Sequence, residues 1–201
     1  MWPEDAIYLP WWIWIASWMA ASFWSNPTLK RPGGTRQWPY QFLELSGFAV
    51  LLLVHGQDST PFREGLAAHN VLAQRYWALP PAAGWTMVAL EVVGFAFCWW
   101  ARIHLGRLWS GTITHKQGHR VVSSGPYRIV RHPIYTGLIL AAAATAAEKA
   151  SGAALLGLGL VIAGYWMKSR LEERFLREEL GASAYDAYAA RTPMLIPFVK
   201  A

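Results

Sequence analysis

The sequence predicts an all-α integral membrane protein. Of its 201 residues, 54% are hydrophobic and only 15% are charged, whereas an average soluble domain is roughly a quarter charged. Five apolar segments follow one another along the chain, and polar loops separate them. The length suits one membrane domain, residues 1–201, with three helices in residues 1–101 and a more polar part in residues 102–201.

The apolar segments are close to the length of membrane-crossing helices, which need about 20 residues and at least about 17. The last two segments are shorter and only residues 148–151 separate them, which predicts a tight helical hairpin. Many of the 13 tryptophans lie at segment ends, as in interfacial aromatic belts. The five segments cover about residues 8–24, 38–54, 85–101, 133–147 and 152–167.

The helix of the last segment is expected to continue beyond Met167. Apolar residues recur at helical spacing through Leu171, Phe175 and Leu180, and Gly181 fits a helix end. This pattern predicts a cytoplasmic helical tail. The proline-punctuated residues 193–198 that follow are expected to fold back over the site.

The chain carries a net charge of +6. In a soluble protein it would suggest nucleic-acid binding, but here the basic residues lie beside apolar segments, which favours contact with membrane lipids and no nucleic acid. Two loops, residues 25–37 and 102–132, are basic and contain no acidic residue. The positive-inside rule predicts that both face the cytoplasm, with the N-terminus outside and the C-terminus inside the cytoplasmic membrane.

A block of basic, aromatic and proline residues precedes the fourth segment. Gly125-Pro126 is a turn signal, and Pro133 suits the first turn of a helix that His132 caps. Free amide groups at this helix start, together with Arg128, Arg131 and His132, would favour an anionic or electron-rich ligand. The alternative is a basic loop that only contacts lipid headgroups.

A second polar cluster, Arg170-Leu-Glu172-Glu173, follows the fifth segment. A short hairpin returns the chain to the side it left, so this cluster is expected near the first block. A carboxylate opposite a basic and aromatic pocket can bind a zwitterion. The alternative is a solvated helix face on which Glu173 pairs with Arg177.

A metal site is not predicted. The single cysteine, Cys98, lies in an apolar segment and fits a small buried hydrophobe. His104, His115 and His119 share a loop that offers no carboxylate or thiol to complete a ligand set.

These motifs together resemble the isoprenylcysteine carboxyl methyltransferase family, in order and spacing, over residues 117–201. The resemblance implies a prokaryotic-type, S-adenosylmethionine-dependent methyltransferase with its catalytic part in residues 102–201. Its acceptor would be lipophilic, such as a prenylcysteine carboxylate or a related carboxylate or thiol. The matching motifs are His119-x-Val-Val, Gly125-Pro-Tyr-Arg-x-Val-Arg-His-Pro-x-Tyr, Glu172-Glu-x-x-Leu and Tyr185-x-x-Tyr-x-x-Arg-x-Pro.

The chemistry of these residues suggests individual roles. Glu173 would bind the ammonium of the donor, Arg131 with its neighbour His132 would bind the carboxylate, and Arg170 would orient the acceptor. Tyr127 or Tyr135 would contact the adenosine or the methyl path. The resemblance places the family's acceptor-side arginine at or beside Ser169, whose neighbours are Lys168 and Arg170. The implied cofactor shell is His119, Arg120, Val121, Val122, Tyr127, His132, Pro133, Ile134, Tyr135 and Glu173.

Two other classes remain open at this point. Membrane sterol and enone reductases, which use NADPH, carry a similar Tyr127-Arg-x-x-Arg-His-Pro-x-Tyr block, but they are longer and lack the paired glutamates. A non-catalytic lipid-binding membrane protein is the third interpretation. Saturable binding of a donor cofactor discriminates between these three classes of protein.

Overall fold

The structure is a computed structural model that describes residues 1–54, 71–72, 74–118 and 120–199. Helices make up most of this part of the chain. They are α1 (Pro3–Ala6), α2 (Leu9–Ser22), α3 (Trp38–Leu53), α4 (Pro81–Leu105), α5 (Pro133–Lys149), α6 (Gly152–Leu180) and α7 (Ala182–Ala189).

A helix covers each of the five predicted apolar segments. Two helices are long and apolar enough to cross a membrane by length and composition: α4 together with the 3-10 turn Gly106–Leu108 that continues it, and α6. The number of crossings stays a prediction. The expected hairpin is present, because only Ala150 and Ser151 separate α5 from α6 and the two helices pack together. The expected extension of α6 is also confirmed, since it runs unbroken to Leu180.

A short antiparallel ribbon was not predicted. Strand β1 (Thr28–Lys30) pairs with β2 (His115–Lys116) and joins the two basic loops. Neither strand is long enough to show the alternation of apolar and polar residues that marks a strand in a sequence. A contact with α6 holds the ribbon in place, because the carboxylate of Glu179 on that helix binds both Lys30 and His115.

Two helix pairs form most of the packing, α3 against α6 and α4 against α5. The α3–α6 pair touches through glycines. A Cβ atom added to Gly157 would lie 2.7 Å from the backbone nitrogen of Leu51 and 2.8 Å from the carbonyl oxygen of Gly47. Small residues at such points let helix backbones approach closely, which is a common device in membrane helices.

The sequence predicts that Arg102 lies in a cytoplasmic loop, but the structure places it in a helix. It lies in α4 with no exposed surface. Its guanidinium donates to the carbonyl oxygens of Ala21 (2.8 Å) and Trp24 (2.7 Å), and it lies 4.4 Å from the ring centre of Trp109. Arg102 therefore fixes the end of α2 against α4 by donating to carbonyl oxygens at the end of α2 and just beyond it.

Candidate active site

A cleft that is open to solvent lies where α5 begins. Three parts of the chain form its walls: the loop after α4, the start of α5, and the polar end of α6 with α7. The lining residues are Leu105, Leu108, Trp109, Ser110, Thr112, Thr114, Arg120, Val121, Val122, Tyr127, Arg131, His132, Pro133, Ile134, Tyr135, Glu172, Leu176, Leu180, Tyr185 and Tyr188.

The turn before α5 depends on Gly125. Its φ of +57° is in the left-handed region, and an added Cβ would lie 2.8 Å from the ring of His104. The same ring is 2.9 Å from the hydroxyl of Ser124. The turn can therefore lie flat against the end of α4 only with glycine at this position, and this contact places Tyr127 in the cleft wall.

The start of α5 agrees with the sequence in its backbone. His132 is the N-cap residue and Pro133 occupies the first turn. The imidazole does not cap the helix. It stacks on the ring of Tyr135, with ring centres 5.3 Å apart and an interplanar angle of 7°. Both rings face the cleft.

Glu173 lies behind the cleft wall rather than in it. Its Oε1 accepts from Arg131 Nε at 2.6 Å and lies 3.3 Å from His132 Nε2. The Arg131 and Glu173 side chains are only 11% and 4% exposed. The alternative pairing of Glu173 with Arg177 is not what forms, because Arg177 Nε binds Asp186 at 2.6 Å. Glu173 therefore holds the two basic side chains in place.

Of the two glutamates, Glu172 lines the cleft, and the sequence alone did not indicate which of them would do so. The hydroxyl of Tyr135 donates to Glu172 Oε2 at 2.7 Å. The Glu172 side chain is 28% exposed, so one carboxylate remains accessible beside the basic groups. The predicted opposition of negative and positive charge is thus present, with Glu172 as its acidic member.

Lys168, one of the two neighbours of Ser169 at which the resemblance places the acceptor-side arginine, is buried. Its ammonium lies 5.0 Å from the ring centre of Tyr135 and 3.5 Å from a carboxylate oxygen of Glu44. It also donates to the carbonyl oxygen of Gly111 at 3.3 Å, so it ties α6 to the loop that forms one cleft wall.

Some predicted site residues lie elsewhere. Arg170 is exposed on α6, where its guanidinium lies 6.0 Å from the ring centre of Trp166, and it is not among the lining residues. Arg128 is also exposed and away from the cleft. His119 lies outside the described residues, whereas the other predicted cofactor-shell residues line the cleft, except Glu173 behind its wall.

Buried tyrosines close the cleft on the side of α7. Burial raises the pKa of Tyr127 and, with the nearby glutamates, the pKa of Tyr185 and Tyr188. Their hydroxyls are therefore neutral near pH 7 and act as hydrogen-bond groups. The hydroxyl of Tyr188 donates to the carbonyl oxygen of Tyr127 at 2.6 Å, which joins α7 to the turn before α5.

Thr114 carries a polar atom that suits a ligand. The residue is 6% exposed and lines the cleft, and its Oγ1 has no hydrogen-bond partner among the described residues. Since buried hydroxyls are normally paired, a ligand or ordered water in the cleft would satisfy it.

Comparison with known proteins identifies the region around this cleft. Residues 87–178, from α4 to the polar end of α6, match the isoprenylcysteine carboxyl methyltransferase (ICMT) family. The chain is 23% identical over 182 residues to protein-S-isoprenylcysteine O-methyltransferase B of Arabidopsis thaliana, covering 79% of this chain and 89% of that protein.

Two further relatives match over a shorter length. One is the probable protein-S-isoprenylcysteine O-methyltransferase of Oryza sativa subsp. indica, 27% identical over 114 residues, which are 56% of this chain and 54% of the relative. The other is the cobalt-zinc-cadmium resistance protein CzcN of Cupriavidus metallidurans, 37% identical over 98 residues, which are 46% of this chain and 43% of the relative. The chain thus spans about half of each. The bacterial relative agrees with a prokaryotic-type member.

Proposed function

We propose that this chain is a membrane methyltransferase of the isoprenylcysteine carboxyl methyltransferase family, whose model matches residues 87–178. Its donor is S-adenosylmethionine, and its acceptor is a lipophilic molecule of the prenylcysteine carboxylate type. The observation that carries the proposal is the cleft itself, which sets an accessible carboxylate, Glu172, against the basic side chains of Arg120, Arg131 and His132.

The charges of the cleft fit the amino-acid end of the donor. Glu172 would bind the ammonium, and Arg131 with His132 would bind the carboxylate. Glu173, first expected to bind the ammonium, would support the same end by fixing Arg131 at 2.6 Å. Charge-assisted contacts of this kind are roughly twice as strong as neutral hydrogen bonds.

The rest of the cleft fits the remaining parts of the donor. The stacked rings of His132 and Tyr135 offer an aromatic surface, and the hydroxyl of Thr114, which no described residue pairs, offers a hydrogen bond for a sugar hydroxyl. When bound, S-adenosylmethionine supplies a methyl group on a positively charged sulfur. The chain's own task is to align donor and acceptor and to exclude water, which can contribute about 7–11 kcal/mol.

The acceptor side of the cleft is apolar. Leu105, Leu108 and Trp109 line it at the end of α4, where a hydrophobic chain could leave the cleft toward lipid. Lys168 lies outside the lining, beneath Tyr135, where its ammonium pairs with Glu44 at 3.5 Å and donates to the carbonyl oxygen of Gly111. Since neither Lys168 nor Arg170 lines the cleft, we assign the orienting role expected of Arg170 to neither residue, and Lys168 positions Tyr135 and the loop at Gly111.

The same proposal includes the arrangement in the membrane. Five crossings with the N-terminus outside would put both basic loops, the cleft and α7 on the cytoplasmic side. The chain then forms one domain in which residues 1–101 support the catalytic part at residues 102–201. Support comes from the charge of the loops and from the ribbon that joins them.

The test is a calorimetric titration of the detergent-purified protein with S-adenosylmethionine, S-adenosylhomocysteine and NADPH. We expect micromolar binding of both adenosyl compounds and none of NADPH. Replacement Glu172→Gln should weaken S-adenosylhomocysteine binding about ten- to a hundredfold, since a hydrogen bond to a charged group contributes about 1.5–3 kcal/mol. NADPH binding alone would transfer the chain to the reductases, and no binding of any of the three would remove the enzyme proposal.

A further inference from the structure

A strap formed by residues 192–195 crosses the start of α5. The amide of Arg131 donates to the carbonyl oxygen of Pro193 at 2.8 Å, and the amide of His132 donates to that of Met194 at 3.2 Å. The Thr136 hydroxyl donates to the Leu195 carbonyl oxygen at 2.6 Å. These bonds fix the backbone of the two basic residues of the cleft, so the position of the strap and the shape of the site are linked.

The strap also holds the side chain of Arg131. One guanidinium nitrogen, Nη1, donates to the carbonyl oxygens of Thr192 at 2.5 Å and Ala189 at 3.1 Å. The Nε atom of the same guanidinium donates to Glu173 Oε1 at 2.6 Å. Displacement of the strap would therefore remove the Thr192 partner of this guanidinium together with the backbone bond from Arg131 to Pro193.

Beyond the strap, the chain exposes three large apolar side chains. Ile196 is 63% exposed, Phe198 95% and Val199 54%. Phe198 has a φ of +67°, a conformation that bulky residues rarely adopt. We call these three residues the apolar tip. An exposed cluster of this kind usually marks a contact with another apolar surface.

The apolar tip lies at the level where α5 starts its apolar segment. Leu195 binds Thr136 in the first turn of that helix. The neighbouring helix α4 reaches the same level, because Cys98 Sγ lies 3.3 Å from the carbonyl oxygen of Ile134. Just beyond Cys98, α4 exposes Trp100 (47%) and Ile103 (62%). Aromatic and apolar side chains at helix ends typically contact the membrane–water interface.

We propose that the apolar tip inserts into the interfacial layer of the bilayer and thereby anchors the strap. The partner is the lipid surface itself, and contact with it keeps Arg131 and His132 in their binding positions. The effect on the donor rests on the proposed function, whereas the insertion of the tip does not. Amphipathic segments bind membranes in this way through partial burial of their apolar residues.

Insertion is tested with an environment-sensitive fluorophore on Phe198→Cys in lipid nanodiscs that carry a spin-labelled lipid quencher. The native Cys98 is fully buried and does not compete for the label. Ser183→Cys, on the exposed face of α7, is the matched control. We expect at least threefold stronger quenching at position 198 than at position 183. Equal quenching, or protection of position 198 by a second copy of the chain, would overturn the proposal.

The link to the site is tested by replacing the whole tip, with Ile196→Ser, Phe198→Ser and Val199→Ser in one variant. In nanodiscs, its S-adenosylhomocysteine affinity should fall at least fivefold, and Phe198→Trp alone should keep the wild-type value. Unchanged affinity in the triple variant would overturn the anchoring role. Absence of binding by the wild-type protein would reject the proposed function instead, and the quenching result would still decide whether the tip inserts.

Discussion

Glu173 and Glu172 have different roles in the cleft. One guanidinium nitrogen of Arg131 donates to Glu173, and another donates to two backbone carbonyl oxygens. Glu173 is thereby neutralised inside the protein, while Glu172 stays accessible and is held by Tyr135. One carboxylate is therefore structural and its neighbour in the chain is available to a ligand.

This division predicts different outcomes for the two glutamates. Glu173→Gln should lower thermal stability and donor affinity together, because loss of one partner of a buried ion pair costs up to about 3–5 kcal/mol. Glu172→Gln should reduce affinity and leave the unfolding midpoint almost unchanged. Thermal unfolding and S-adenosylhomocysteine titration measure both effects, with the exposed Glu178→Gln as control. Equal loss of stability in both variants would contradict the division.

Tyr135 is predicted to position Glu172. Tyr135→Phe keeps the stack on His132 and on Tyr165 but removes the 2.7 Å hydrogen bond to the Glu172 carboxylate. We expect donor affinity to fall about tenfold, from the loss of about 1.5 kcal/mol. Tyr165→Phe changes the same stack without touching that bond and should bind normally. A normal Tyr135→Phe variant would show that Glu172 needs no support.

The sequence identified this group of residues but not their individual places. Paired glutamates one hairpin after a basic block predict proximity, since a hairpin returns to its starting side. Which glutamate faces the cleft depends on how α6 is rotated about its axis relative to α5. The sequence of one protein does not specify this rotation. The same rotation buries Lys168 and exposes Arg170, two residues apart on one helix.

At the scale of elements, the α3–α6 contact predicts a contrast between two glycines of α6. Gly157→Ala would place a Cβ 2.7 Å from a backbone nitrogen of Leu51, whereas Gly159→Ala meets no atom within 4 Å. Overpacking costs about 1–3 kcal/mol, so only Gly157→Ala should lower the unfolding midpoint. Thermal unfolding in one detergent compares the pair directly. Equal midpoints would mean that α3 and α6 do not pack this closely.

The positions of the helices follow from apolar length, which is why each predicted segment coincides with a helix. Apolar length does not predict which helices pack against each other. Nearly every face of these segments is apolar, so their periodicity does not show which face points into the protein. The ribbon of β1 and β2 could not be predicted for another reason. Its short polar strands are aligned by Glu179, Lys30 and His115, which lie far apart in the sequence.

At the scale of the whole molecule, the basic loops predict the orientation in the membrane. Reporter fusions after residue 36 and after residue 199 should both be cytoplasmic, and a fusion before residue 3 should be exported. The physical reason is the cost of moving lysine and arginine in short loops across the membrane. Opposite locations for residues 36 and 199 would contradict an odd number of crossings.

The central claim is methyl transfer in the membrane, and one measurement tests it directly. Protein in nanodiscs is incubated with S-adenosylmethionine that carries a labelled methyl group and with an N-acylated S-prenylcysteine. We expect label in the acceptor ester with the wild-type protein and its loss in Glu172→Gln. Donor binding without transfer to this acceptor would contradict the proposed acceptor class, and absence of both would contradict the account as a whole.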